Sequence, residues 1–206
     1  MMKASKRTGL LICIFALFLA SQSVALPIAG EQVRMLADST VPYTMLDIND
    51  NISYQTFCVE SSNYFTPGGT YWVTSVGDIV TGGGPQQSGD LLSEDTKWLY
   101  AAYMSDVFKS DSSITAQTVQ SAIWYLEGES GGNSADWTKL NSTVYKTFDA
   151  TGWSVVAVNI SSAKDGSVDN QSQLVGVAPV PEPATMLLFG TGLAGLAGLS
   201  HRRKKK

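Results

Sequence analysis

Two uncharged apolar segments bracket this chain and decide how much of it is left to fold. Near the N-terminus, Lys3, Lys6 and Arg7 precede an apolar run over residues 10–20, and Ser23-Val24-Ala25 follows as a small-x-small step. A basic stretch, a short apolar stretch and a small-residue step in that order read as a secretory signal peptide, residues 1–25, with cleavage expected after Ala25. A permanent anchor fits less well, because the run is too short to span a bilayer. Near the C-terminus, residues 184–200 hold no charge, and His201-Arg202-Arg203-Lys204-Lys205-Lys206 close the chain. That run is long enough to cross a slightly thinned bilayer as a transmembrane helix, and its basic end faces the cytoplasm by the positive-inside rule. Residues 26–178 remain as one exported domain, a size that buries enough surface to fold unaided.

The 206 residues carry 14 Lys and Arg against 18 Asp and Glu. Many of the cations lie in the two terminal segments, so the exported body is distinctly acidic. It has no electrostatic footprint for nucleic acid. Cys13 lies in the signal segment, which leaves Cys58 as the sole cysteine of the body, with no internal disulfide partner. Such a residue is either a reactive or intermolecular thiol, or an inert buried one. The single histidine, His201, lies in the basic tail. Without imidazole in the body, Cys/His and Ser/His/Asp catalysis and a zinc site are excluded. Glu60, Glu94, Asp95, Glu127 and Glu129 supply carboxylates, but no spacing marks a glycosidase pair. No enzyme activity, metal or cofactor is expected. Asp47, Asn49 and Asn51 alternate as oxygen ligands would, yet the glycine and closing glutamate of a calcium loop are missing, so a solvated turn is expected there.

The pattern along the body mixes strands with two helices, an α+β fold in a single compact domain. Short strands are expected around residues 41–46. Residues 54–59 alternate aromatic and β-branched side chains and form a strand carrying Cys58 near its end. Pro67-Gly68-Gly69 marks a turn before a strand over 70–76, and the two strands are placed to form a hairpin. Gly82 to Gly89 forms a glycine-rich loop without the lysine that a phosphate cradle needs. Ser93-Glu94-Asp95-Thr96 begins a helix with Trp98, Leu99, Ala102 and Tyr103 on its buried face, ending by Ser110. A second helix starts near Ser113, with Val119, Ala122, Ile123 and Leu126 at amphipathic spacing, and ends at Gly128 and Gly131-Gly132. Strands over 153–160 and 174–178 complete the body. Residues 179–183 are the one clear linker, held extended by their prolines.

Two family resemblances follow from these segments. Val180-Pro181-Glu182-Pro183-Ala184, the apolar run and the basic end resemble the PEP-CTERM sorting signal of Gram-negative bacteria. The resemblance implies an exosortase-type enzyme that processes the chain near Pro181, Glu182 and Pro183. It also implies transient residence in the inner membrane, then the envelope, outer surface or exopolysaccharide matrix. Phe57-Cys58-Val59-Glu60 and Val119-Gln120-Ser121-Ala122-Ile123-Trp124 resemble the two signature segments of the thioester domains of bacterial surface adhesins. That resemblance implies a thioester between Cys58 and Gln120 and a partner that presents an amine or hydroxyl. Val119 stands where that family usually has threonine, and the separation of Cys58 from Gln120 is short beside the larger adhesin domains. Phe57, Tyr64, Trp124 and Tyr125 are the aromatic residues expected to shield the bond. The alternative reading is a noncovalent surface or matrix module in which Cys58 is inert.

Overall fold

Period-two alternation along β-branched and aromatic stretches gives the strands of the main sheet one face toward a narrow interior and one face outward, part of it under helices. The computed structural model describes residues 25–81, 89–142, 144–179 and 191–192. The signal segment ahead of Ala25, most of the glycine-rich loop, the Pro-Glu-Pro motif and the apolar tail lie outside the described residues. Among the described residues no helix is long and apolar enough to cross a membrane. The body, Val24–Pro179, is one unit.

Among the described residues eight strands occur, in chain order: β1 (Gln32–Met35), β2 (Tyr43–Asp47), β3 (Ile52–Cys58), β4 (Thr70–Gly77), β5 (Ile79–Val80), β6 (Asp90–Leu91), β7 (Ser154–Ser161) and β8 (Gln173–Val177). Six of them close a barrel in the order β1-β2-β3-β8-β7-β4, and β5 and β6 form a separate two-stranded sheet. Every barrel pairing is antiparallel. Closure removes the exposed edges that an open sheet of this length would present. The expected hairpin of residues 54–59 with 70–76 does not form. β3 pairs with β2 and β8, and β4 pairs with β1 and β7. The tight β2–β3 turn over residues 48–51 gives one edge of β3 to β2 and β8 takes the other, so β4 pairs instead with β1 and β7.

The inward faces hold Val33, Met35, Met45, Tyr54, Tyr71, Val73, Val158, Ile160 and Val175. The outward faces of β3, β7 and β8 contribute Phe57, Val155, Ala157 and Leu174 to a second core shared with the helices. Three helices cover that side: α1 (Glu94–Met104), α2 (Ala116–Leu126) and α3 (Ser134–Leu140). The α+β class therefore takes the specific form of a six-stranded barrel with three helices, where the sequence pattern gave two. Ser93 caps α1 by accepting from the Thr96 amide at 3.1 Å, and Thr115 and Thr118 form a reciprocal capping box on α2. Gly128, at φ +75, turns the chain out of α2. Gly132 then lets α3 fold back tightly: a Cβ there would lie 2.4 Å from the Tyr125 backbone.

Candidate functional site

The end of β3 leaves one residue with an unfinished hydrogen-bond ladder, and a helix supplies what is missing. Pairing of β3 with β2 reaches only Thr56, opposite Tyr43. The Val59 amide bonds the Ser172 carbonyl next to β8, so by alternation the Cys58 amide and carbonyl point to the other side, where β2 has already stopped. Buried main-chain groups left in that position would be strongly destabilising. Gln120, one turn into α2, fills the gap. The Cys58 amide donates to Gln120 Oε1 at 2.8 Å, and Gln120 Nε2 donates to the Cys58 carbonyl at 2.7 Å. Gln120 is 1% exposed and Cys58 2%. Two residues 62 positions apart in sequence thus meet through a two-point contact that holds the glutamine amide against the residue bearing the thiol.

The thiol itself faces the barrel, on the side of β3 opposite Phe57. Its contact there is Gln173 on β8, the residue paired with Cys58 in register, whose Nε2 lies 3.9 Å from Sγ. Burial pushes the thiol up to about 12, an effect relieved in part by the Gln173 contact and reinforced by the charge of Glu60. At neutral pH the sulfur keeps its proton and is shielded from external reagents, since the thiolate is the reactive form. The Gln120 carbonyl, in turn, is polarised by the Cys58 amide. That amide is a fixed donor aimed at the oxygen on which negative charge would build if a nucleophile attacked the amide carbon.

The aromatic residues divide. Phe57 is buried on the helix side, edge-on to Tyr100 and Tyr103 at ring-centroid distances of 6.4 and 5.2 Å. Trp124, one turn beyond Gln120, packs against Gly131, where a Cβ would lie 2.7 Å from Cε3 of the indole. Its Nε1 is buried without a hydrogen-bond partner. Tyr64 and Tyr125 are 74% and 45% exposed, so neither is buried over the pair.

The carboxylates considered as a glycosidase pair are each engaged separately. Glu60 is buried; its Oε2 accepts from the Ser172 amide at 2.6 Å, and its Oε1 lies 2.9 Å from the Ser172 hydroxyl. Glu127 accepts from the Ser93 amide and the Thr96 hydroxyl at the start of α1. Glu129 accepts from the Ser61 amide and hydroxyl, and Glu94 pairs with Lys97. Asp95 is exposed.

Sequence reasoning missed Gln173, Ser172 and Asn159, which with Glu60 form a buried polar chain. The Ser172 hydroxyl donates to Asn159 Oδ1 at 2.7 Å, and Asn159 Nδ2 donates to the Ser75 hydroxyl at 2.8 Å and the Ile79 carbonyl at 2.7 Å. The available signal was the polar triplet Gln171-Ser172-Gln173 beside an apolar strand, which reads as a loop when only apolar periodicity is counted.

Residues 179–204 match the PEP-CTERM protein-sorting motif. No curated protein and no solved structure matches the chain. The motif implies a protein exported through the membrane to the cell envelope, with an exosortase as its processing partner. It identifies the delivery signal of this chain and leaves the activity of the body to the residues of the barrel and its helices.

Proposed function

We propose that the exported body is a surface or matrix module that attaches covalently to its partner through an internal thioester between Cys58 and Gln120. The observation that carries this reading is the two-point contact of the Gln120 amide with Cys58, in a buried site whose thiol has no disulfide partner among the described residues. In the forming step the Cys58 sulfur attacks the Gln120 amide carbon. The carbon–nitrogen bond breaks, the thiol proton passes to the departing nitrogen, and ammonia leaves. In the attachment step an amine or hydroxyl of the partner adds to the acyl carbon, expels the sulfur and returns its proton to Cys58. The body reacts once and is not regenerated, so the reading makes it an acylating module and not an enzyme.

The Cys58 amide supports both steps, because it donates to the acyl oxygen before and after the nitrogen departs. The high barrier to deprotonating Cys58 favours the second reading, a noncovalent module in which Gln120 serves only to complete the ladder at the end of β3. Intact-mass measurement on freshly purified protein separates the two. The covalent reading expects a mass lower than the sequence by one ammonia, loss of that deficit on methylamine treatment with one thiol exposed, and no deficit in C58A or Q120A. An unshifted mass with a titratable Cys58 thiol in denaturant before any amine is added would overturn it.

A further inference from the structure

The barrel end nearest the N-terminus holds a buried carboxylate oxygen with no partner. Asp47, the last residue of β2, is 1% exposed. Its Oδ1 accepts from the Asn49 and Asp50 amides at 2.9 and 3.3 Å, which shapes the turn into β3. Its Oδ2 is buried and accepts nothing. Asp47 pairs in register with Ile52, and Met45 with Tyr54, so Asp47 and Tyr54 are diagonal neighbours. The Tyr54 hydroxyl donates to the carbonyl of Ala25, the atom next to the Leu26 nitrogen. Leu26 packs on the interior core of the barrel, and Glu31 accepts from the Ile28 amide at 3.2 Å, so this segment lies across the barrel end. Burial and the charges of Asp47, Asp50 and Glu31 together push the Tyr54 phenol up to about 12. Among the described residues, no lysine or arginine forms an ion pair with any of them.

We propose that this cluster is a docking site for the new N-terminus: cleavage after Ala25 creates an α-ammonium on Leu26, and that ammonium binds the free oxygen of buried Asp47 beside the Tyr54 hydroxyl. The peptidase adds water across the Ala25–Leu26 bond, leaving a carboxylate on Ala25 and an amine on Leu26 that takes up a proton. The group that Ala25 presents to Tyr54 is thereby exchanged for a cation. An isolated buried carboxylate oxygen is destabilising until paired, and Glu31 and Asp50 add to the attraction. The precursor thus carries an incomplete barrel end that export completes. This inference rests on cleavage after Ala25 and is independent of the thioester.

The test uses the chain from Leu26 to Lys206, purified in detergent with a removable leader fused directly ahead of Leu26. Cutting the leader is expected to raise the melting temperature at pH 7 by on the order of 4 °C. The rise is expected to be absent in D47N and in protein whose Leu26 amine is acetylated after cutting. The paired amine should titrate above the ordinary α-amino range. The sign follows: the gain is complete below the ordinary α-amino value and disappears as pH rises through the raised one, with Asp47, Asp50, Glu31 and Tyr54 as the groups facing it. Melting that is unchanged by cutting, or an equal rise in D47N, would overturn the proposal. So would an exported protein whose first residue is not Leu26.

Discussion

Glu60 makes the stability of the barrel depend on pH in a direction opposite to that of an ordinary surface carboxylate. Burial, opposed by the hydrogen bonds with Ser172 and reinforced by the charge of Glu129, raises its carboxyl from 4.5 to about 7. Cys58, two residues earlier, stays protonated through this range, and Asn159 reaches Glu60 only through the Ser172 hydroxyl. In the unfolded chain Glu60 ionises near its ordinary value, whereas in the folded chain it holds its proton until about pH 7. Its contribution to stability is therefore complete below pH 4.5, falls as the pH rises to 7, and is flat above. A shift of that size corresponds to about 3 kcal/mol. For a body of this size the melting temperature would move by on the order of 10 °C. E60Q keeps the shape of the side chain, can still accept from the Ser172 amide, and removes the titration. Urea unfolding of both proteins from pH 4.5 to 8 is the assay. The difference between E60Q and the parent protein should grow by about 3 kcal/mol in favour of E60Q, most of it before pH 7. The exposed carboxylates whose pKa values are lowered, Asp111, Asp149 and Asp165, titrate alike in both proteins and cancel. Parallel profiles for the two proteins would refute the assignment of a buried neutral carboxyl.

Two further outcomes follow from particular contacts, and a third from the sorting motif. G176A places a Cβ 2.5 and 2.9 Å from Cε1 and Cδ1 of the buried Tyr100 ring, so overpacking should destabilise the body by about 1–3 kcal/mol in denaturant titration. Thioester formation removes the Gln120 nitrogen that donates to the Cys58 carbonyl, whereas methylamine restores an N–H at that position. Methylamine also opens the cross-link between residues 58 and 120, losing about 4 kcal/mol of loop-closure stabilisation against the roughly 1 kcal/mol that one hydrogen bond returns. The methylamide form should therefore melt lower than the thioester form by calorimetry on the two mass-verified species, and equal or higher melting would argue against a cross-link. Replacing Pro181, Glu182 and Pro183 together by alanine should leave the chain at full length in the membrane fraction, read by immunoblot, while the parent chain yields a shorter form.

What the sequence made legible was local. Ser93 with Glu94 and Asp95 announced α1, and the spacing of Val119, Ala122 and Ile123 announced α2, because caps and amphipathic periods are written within one or two turns. α3 was hidden because its seven residues bury only Leu140 fully, and its cap, Asn133, follows a glycine pair that reads as loop. The pairing of β3 with β8 joins residues 115 positions apart, and no turn residue encodes a contact of that range. Barrel closure was invisible for the same reason: each strand alternates as it would in an open sheet, and only the joint register of six strands selects the ring.

The site shows the same division with more at stake. Cysteine count singled out Cys58 and the resemblance to thioester domains singled out Gln120; the fold brings them together, but their contact is made by the Cys58 main chain and not by its sulfur. That geometry gives Gln120 a structural reason to be where it is, whether or not acylation follows. It also supplies the feature acylation would need, a buried amide donor aimed at the acyl oxygen. A glutamine that only completed the ladder would serve equally well beside serine or alanine at position 58, because the two bonds use backbone atoms alone. The identity of the side chain at 58 is therefore what distinguishes the two readings, and the chemistry of a single sulfur is the quantity to measure.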